Sequence, residues 1–177
     1  MRCPACGEMS LEGARFCAAC GASLERGTVI KAGRVAERRQ ITVMLCDLVG
    51  STPLSGRLDP EELAEVISNY QLRVAKAVGD FGGHIARHVG DGILSYFGWP
   101  ESREANSERA VRAALAVVSA LEAPIRGENL QARIGIATGT VVVGEPTGFG
   151  DARQQTAIGE TPNRAARLQG LAGWLSM

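Results

Sequence analysis

The chain has 177 residues, 45% of them hydrophobic, which is enough for one domain of ordinary size with a small appendage. Its 19 Lys and Arg balance its 19 Asp and Glu, so charge gives no support to binding of nucleic acid or of an anionic membrane. No apolar run approaches the roughly 20 residues of a transmembrane span, and the N-terminus lacks a signal-peptide core. We therefore predict a cytoplasmic protein with no nucleic-acid partner and no membrane partner.

Four cysteines near the N-terminus form two pairs with the same internal spacing. Cys3 and Cys6 make the first pair, Cys17 and Cys20 make the second, and a glycine follows each pair. Two such pairs can close a tetrahedral four-thiolate Zn²⁺ site, and the metal would supply folding energy that a short segment lacks. A pair of disulfides is the alternative, which a cytoplasmic location disfavours. We predict a structural zinc ribbon over residues 1–26.

Residues 27–38 show no periodicity and are predicted to be a linker, and residues 39–177 are predicted to form the main domain. Strands are predicted from short β-branched and apolar runs, and helices from apolar residues at helical spacing with capping signals at their ends. The predicted elements in chain order are a strand over 39–46, a helix over 59–81, strands over 84–89 and 93–97, a helix over 104–121, strands over 130–138, 141–143 and 156–159, and a helix over 163–172.

The order β-α-β-β-α-β with an appended strand predicts an α+β fold of the ferredoxin-like type, an antiparallel sheet with both helices on one face. In this topology the first strand lies beside the central hairpin. Asp47 ends the first strand and Asp91 lies in the hairpin turn, so we expect the two carboxylates to meet at one edge. His84 and His88 are expected on one side of their strand by its period of two, as structural residues.

Two carboxylates beside glycines indicate a site for hard divalent cations, because a charge at the end of a buried strand is costly unless something pairs with it. Other interpretations remain open for each residue alone. Asp47 also suits the N-cap of a helix, and Asp91 also suits an ordinary Gly-Asp-Gly turn.

Four motifs, in this order, resemble those of the class III nucleotide cyclases, whose catalytic domains have a palm-type fold. The resemblance covers about residues 38–170. The motifs are DLVGST from Asp47, RHVGDGILSYFG from Arg87, RIGIATGTVVVG from Arg133 and TAIGETPNRAARL from Thr156. The paired cysteines ahead of such a domain are similar to the start of bacterial ATPase-fused adenylate cyclases. The resemblance implies a phosphorus–oxygen lyase in intracellular signalling, which makes a cyclic 3′,5′-nucleotide and pyrophosphate from a nucleoside triphosphate.

The resemblance implies that Asp47 and Asp91 hold two Mg²⁺ or Mn²⁺ ions. In this two-metal scheme one ion activates the ribose 3′-OH and the other neutralises the β- and γ-phosphates. The backbone of Gly50, Ser51 and Thr52 is implied to contact phosphate oxygens through its N–H groups.

Three further residues match family residues that act on the ribose and the phosphates. Arg133 matches an arginine that reaches the triphosphate. Asn163 matches the residue that orients the ribose, and Arg167 matches the one that stabilises charge developing on the phosphorus oxygens. The spacing of four puts Asn163 and Arg167 on one helix face. In the family a second chain supplies this pair, so the resemblance implies a homodimer or another cyclase-domain partner.

Arg87 and Thr156 match the pair that reads the purine edge, which the resemblance implies is also supplied by the second chain. Here the chain departs from the family pattern. Adenylate-specific members typically carry Lys at the position of Arg87, and an arginine also suits the O6/N7 edge of guanine. Thr156 favours adenine, because guanylate members usually pair Glu with Cys. We therefore predict ATP as the substrate and keep GTP as the alternative.

Two other functional classes share parts of this pattern. A palm-type polymerase or cyclic-dinucleotide synthase would share the two-metal sheet, but the hairpin lacks the Gly-Gly-acidic-Glu-Phe signature of such synthases. A catalytically impaired regulatory module is the second alternative. Family domains continue past the last helix with more strands, so the resemblance implies that this domain is C-terminally short.

Overall fold

The computed structural model describes residues 6–9, 18–20, 37–147 and 154–172, with the backbone alone at 145–147 and 154–156. The chain divides into two compact units, Met1–Arg34 and Val35–Met177. In the first unit Cys6 and Cys20 are exposed, whereas Cys3, Cys17 and the predicted linker up to residue 36 lie outside the described residues. Within the described ranges no helix is long and apolar enough to cross a membrane.

The described part of the second unit contains five strands and four helices. In chain order they are β1 Glu37–Leu48, α1 Ser51–Ser55, α2 Pro60–Asp80, β2 His84–Val89, β3 Gly92–Phe97, α3 Asn106–Leu121, β4 Ala132–Thr147, β5 Gln154–Ile158 and α4 Glu160–Leu171. The strands form one sheet in the order β2-β3-β1-β4-β5, and every neighbouring pair is antiparallel. This topology confirms the predicted ferredoxin-like arrangement with its appended strand.

Two hydrophobic layers lie on opposite faces of the sheet. Alternate β1 residues such as Met44 and Cys46 pack with α2 and α3, so both crossover helices cover one face as predicted. Ile41 and Val43 point to the other face and pack in a second cluster that includes Ala165 of α4. We call this second face the α4 face, and Asp47 belongs to it because it continues the odd-numbered positions of β1.

The strand predicted to stop at residue 138 and restart at 141 is one continuous strand, β4. The prediction treated Gly139 as a break, yet Gly139 pairs with Ile41 in the middle of the ladder. A Cβ at Gly139 would lie only 2.6 Å from Oγ1 of Thr161 in α4. This glycine therefore makes room for a helix and does not end the strand.

Gly135 allows α4 to approach β4 even more closely. A Cβ at Gly135 would overlap the carbonyl oxygen of Ala165 and the backbone N of Gln169. With Ala137 between them, Gly135 and Gly139 form a lane of small residues on the α4 face. The backbone of α4 is therefore seated directly on the backbone of β4.

A β-bulge in β2 corrects the expectation for the two histidines. His84 pairs with Tyr96 and His88 pairs with Ile93, with a register shift between Ile85 and Arg87. Because Tyr96 and Ile93 lie on opposite faces of β3, the histidines do too, and the prediction of one shared side was wrong. The extra residue also carries Arg87 to the α4 face.

Candidate active site

Asp47 is fixed by two side chains from different elements. Its register partner on β4 is Arg133, whose Nη2 donates to Oδ2 of Asp47 at 3.1 Å. Nε2 of Gln169, on α4, donates to the same oxygen at 3.2 Å. Within the described part of the chain no hydrogen bond reaches Oδ1. The carboxylate is therefore held through Oδ2, and Oδ1 is left available to a ligand.

Asp91 lies beside Asp47 at the same edge of the sheet, as the topology predicts. The ladder of β1 with β3 reaches Cys46 opposite Ile93, and a Cβ at Gly92, the next residue of β3 towards the hairpin turn, would lie 3.4 Å from Oδ1 of Asp47. Oδ2 of Asp91 is buried and has no hydrogen-bond partner among the described residues. A buried carboxylate oxygen without a partner is costly, and a cation is the natural compensation.

A neutral pair lies beneath the carboxylates. Sγ of Cys46 is 3.2 Å from the hydroxyl of Tyr70, and both residues are fully buried. Burial raises the pKa of the Cys46 thiol to about 11, against the lowering effect of the Tyr70 hydrogen bond. Burial also raises the pKa of Tyr70, and the charges of Asp47 and Asp91 add to the effect. Cys46 is thus a small core residue in the layer beneath α2 and α3.

The segment after β1 turns sharply towards the site. The amide of Val49 donates to the carbonyl of Gln131 at 2.8 Å, and Gly50 adopts φ 74°, a left-handed conformation that favours glycine. Ser51 and Thr52 then open α1, a single short turn whose N-terminus has no side-chain cap. The predicted phosphate-contacting backbone therefore lies directly beyond Asp47.

The structure brings strand β5, which carries Thr156, against β2, which carries Arg87. The contact is possible because the sheet curls. The hydroxyl of Tyr96, on β3, accepts a hydrogen bond from the amide of Ala157 at 3.3 Å. Burial raises the pKa of Tyr96, and the nearby charge of Arg87 opposes this shift. Tyr96 therefore joins the two strands that carry the predicted base-reading pair.

Asn163 and Arg167 lie on the exposed outer side of α4. Nη2 of Arg167 contacts Oε1 of Glu160 at 3.1 Å, with both side chains largely exposed. Within the described residues no hydrogen bond or ion pair links Asn163 or Arg167 to the two aspartates. One copy of the chain therefore presents the two groups of predicted site residues separately.

A cavity of about 640 Å³ opens beside Val49 and Arg133, between α3, the start of β4 and the end of α4. Neither Asp47 nor Asp91 lines it. The cavity therefore adjoins, but does not include, the edge of the sheet that carries Asp47 and Asp91, which we call the carboxylate edge.

The donor set of this edge suits a hard cation. Among the described residues no group of three or more His, Cys, Asp or Glu lies close enough together to hold a metal ion. Mg²⁺ does not require such a cage, because it is usually held by one or two carboxylates together with waters and substrate phosphates. Two carboxylates, one with a buried unpartnered oxygen, fit Mg²⁺ or Mn²⁺.

The curled antiparallel sheet, with two carboxylates at one edge and both crossover helices on one face, has the architecture of a palm-type domain. Residues 34–174 match the family described as the adenylate and guanylate cyclase catalytic domain, and the chain belongs to this family. This confirms the predicted nucleotide cyclase domain.

Two curated relatives are adenylate cyclases. Adenylate cyclase 1 of Rhizobium meliloti is 36% identical over 145 residues, covering 78% of this chain and 22% of the relative. The adenylate cyclase of Anabaena cylindrica is 31% identical over 146 residues, covering 77% of this chain and 28% of the relative. The chain thus spans about a quarter of the length of these relatives.

Solved structures of both substrate classes share the fold. The guanylyl cyclase Cya2 is 33% identical with a TM-score of 0.70, covering 76% of this chain and 71% of that one. The adenylyl cyclase CyaB from P. aeruginosa is 30% identical with a TM-score of 0.67, covering 76% and 73%.

Sequence reasoning missed Gln169 and Tyr96 as parts of the site. Gln169 lies one turn after Ala165, on the inner side of α4, so helical spacing alone would have placed it against the sheet. No sequence signal pointed to Tyr96, because its role depends on the curl that brings β5 across β3.

Proposed function

We propose that this chain is the catalytic domain of an adenylate cyclase, which converts ATP to 3′,5′-cyclic AMP and pyrophosphate at a site shared by two copies. The observation that carries the proposal is the carboxylate edge. There Asp47 is held through Oδ2, and Asp91 brings a buried oxygen without a described partner. Membership of the cyclase family and the two adenylate cyclase relatives support the same reaction.

In the proposed reaction, the ribose 3′-OH attacks the α-phosphorus and pyrophosphate leaves. Asp47 and Asp91 would hold Mg²⁺ or Mn²⁺, which would supply positive charge to the phosphates and lower the pKa of the attacking hydroxyl. The backbone N–H groups of Gly50, Ser51 and Thr52 orient phosphate oxygens.

Residues on the outer side of α4 complete the site from a second copy. Asn163 orients the ribose, and the Arg167 guanidinium stabilises charge that develops on the phosphorus oxygens. Arg133 is proposed to reach the triphosphate, in addition to its contact with Asp47. The exposure of Asn163 and Arg167 in a single copy supports this division of labour.

ATP is the proposed substrate, read by Arg87 and Thr156 of the second copy. The placement of their strands against one another supports joint recognition of one base. The test is to incubate the purified chain with Mn²⁺ and either ATP or GTP. We expect cyclic AMP. If cyclic GMP is the only product, the proposed substrate is wrong and GTP takes its place. If neither nucleotide gives a cyclic product, the proposed activity is contradicted.

Site sharing is tested by mixing two inactive variants. Asp47→Ala and Arg167→Ala should each abolish cyclic AMP formation, because each removes one part of both sites. Random pairing makes half of the dimers mixed, each with one intact site, so the mixture should recover roughly a quarter of wild-type activity. A mixture that stays inactive would show that both parts act within one chain.

We also propose that Cys3, Cys6, Cys17 and Cys20 bind a structural Zn²⁺ ion. The spacing of the two cysteine pairs supports this site. The exposure of Cys6 and Cys20 is consistent with a small metal-stabilised segment that has little core of its own.

A further inference from the structure

Gln169 has a position that no other described residue of α4 shares. It lies two residues after Arg167, yet on the opposite side of the helix, facing the sheet. Its Nε2 donates to Oδ2 of Asp47 across 122 positions of sequence. Helix α4 therefore exposes Arg167 on its outer side and contacts Asp47 of its own chain through Gln169 on its inner side.

The contact is sterically fixed at both ends. The backbone of Gln169 lies directly over Gly135, where even a methyl group would overlap it. Asp47 is fixed by the ladder between β1 and β4, in which it pairs with Arg133. The backbones of both residues are therefore held in place, which keeps the Gln169 amide within reach of Oδ2.

Arg133 and Gln169, the two donors to Asp47, differ in charge. Arg133 carries a positive charge that attracts the whole carboxylate, and its side chain is about one-third exposed. Gln169 contributes a neutral N–H, which directs one oxygen without adding charge that would compete with a cation. Together they occupy Oδ2 and leave Oδ1 facing the hairpin that carries Asp91. Residues of this kind, which orient a metal ligand, typically change metal affinity by about 10–100-fold when they are lost.

We propose that Gln169 is a positioning residue for the metal-binding carboxylate of Asp47 in its own chain. The inference deepens the proposed function and rests on it for the identity of the reaction. Its direct consequence is a metal affinity that can be measured without nucleotide or turnover.

The first test measures Mn²⁺ binding to the full chain in the absence of nucleotide, by electron paramagnetic resonance of free Mn²⁺. Gln169→Met keeps the length and helix preference of the side chain but removes the donor, and it should raise the Mn²⁺ dissociation constant by about tenfold or more. Gln169→Asn, which keeps the amide but shortens its reach, should act in the same direction and serves if the first variant does not fold. Gln40→Met, on an exposed residue of β1, is the matched control and should leave the constant unchanged.

The second test separates positioning from general support of α4. In mixed dimers of Asp47→Ala with Arg167→Ala, only the Arg167→Ala chain carries Asp47. Gln169→Met should lower cyclic AMP formation when it is placed on that chain, and should have little effect on the other. An equal loss on both chains, or an unchanged Mn²⁺ constant in both Gln169 variants, would overturn the inference.

The outcomes also distinguish this inference from the proposed function. Weaker Mn²⁺ binding in the Gln169 variants of a chain that makes no cyclic nucleotide would sustain the positioning role and reject the cyclase activity. If the wild-type chain forms cyclic AMP but Mn²⁺ binding does not change in the Gln169 variants, the cyclase activity is sustained and the positioning role is rejected.

Discussion

At the scale of single residues, the two aspartates are held in unlike ways. Oδ2 of Asp47 accepts hydrogen bonds from Arg133 and Gln169, whereas Oδ2 of Asp91 is buried with no described partner. A buried polar atom without a partner costs about 1–3 kcal/mol. Asp91 therefore contributes an energetic cost to the metal-free fold, which the proposed cation would relieve.

Asp91→Asn should consequently separate stability from function. The substitution keeps the shape and removes the buried charge, so the melting temperature of the metal-free chain should stay the same or rise. Mn²⁺ affinity should fall by about tenfold or more, since a carboxylate ligand is lost. Calorimetric melting and Mn²⁺ titration measure the two effects. The control Asp80→Asn, at an exposed residue of α2, should leave the Mn²⁺ affinity unchanged. Its free energy of unfolding should stay within about 0.5 kcal/mol of the wild-type value. A clear loss of stability in Asp91→Asn would argue that Asp91 has a structural role.

At the scale of elements, the seating of α4 on β4 determines where the site residues lie. The small residues Gly135, Ala137 and Gly139 let the helix approach the strand backbone. The inner side of α4 then reaches Asp47 through Gln169, and the outer side exposes Asn163 and Arg167. A larger side chain in the lane would move both sides of the helix at once.

Gly135→Ala is the direct test of this seating. The added methyl group overlaps the backbone of α4, and overpacking of this kind typically costs about 1–3 kcal/mol. We expect a lower free energy of unfolding in urea and a large loss of cyclic AMP formation. The control Gly79→Ala, in α2, has no atom near the new Cβ and should be neutral or stabilising by about 0.5–1 kcal/mol. Unaltered stability of Gly135→Ala would mean that α4 can shift without cost.

At the scale of the whole molecule, the chain divides into two compact units. The unit Val35–Met177 has hydrophobic layers on both faces of its sheet. The predicted ribbon at residues 1–26 is too short for such a core, and its stability is proposed to come from Zn²⁺.

Zinc removal should therefore act on one unit alone. Treatment with a strong chelator is expected to unfold residues 1–26, because the four thiolates lose the ion that joins them. The far-ultraviolet circular dichroism of the second unit should be largely retained. Metal analysis before treatment should give one zinc per chain, and a variant with Cys3→Ser and Cys6→Ser should contain none. Absence of zinc from the wild-type chain would contradict the ribbon.

The sequence determined the element types, the strand order and the proximity of Asp47 to Asp91. It could do so because periodicity, capping and turn chemistry are local signals, and because the ferredoxin-like topology leaves few ways to pair such elements. Its motifs also identified the family. The roles of Arg87, Thr156, Asn163 and Arg167 remain predictions for the experiments above.

Only the tertiary structure decided the details that orient these residues. The bulge in β2 carries Arg87 to the α4 face and separates His84 from His88, because one extra residue inverts the alternation that a period of two predicts. The hydrogen bond from Gln169 to Asp47 joins residues 122 positions apart. Such contacts depend on how closely a helix can approach a strand, and that distance is set by packing across the whole domain and not by any local pattern.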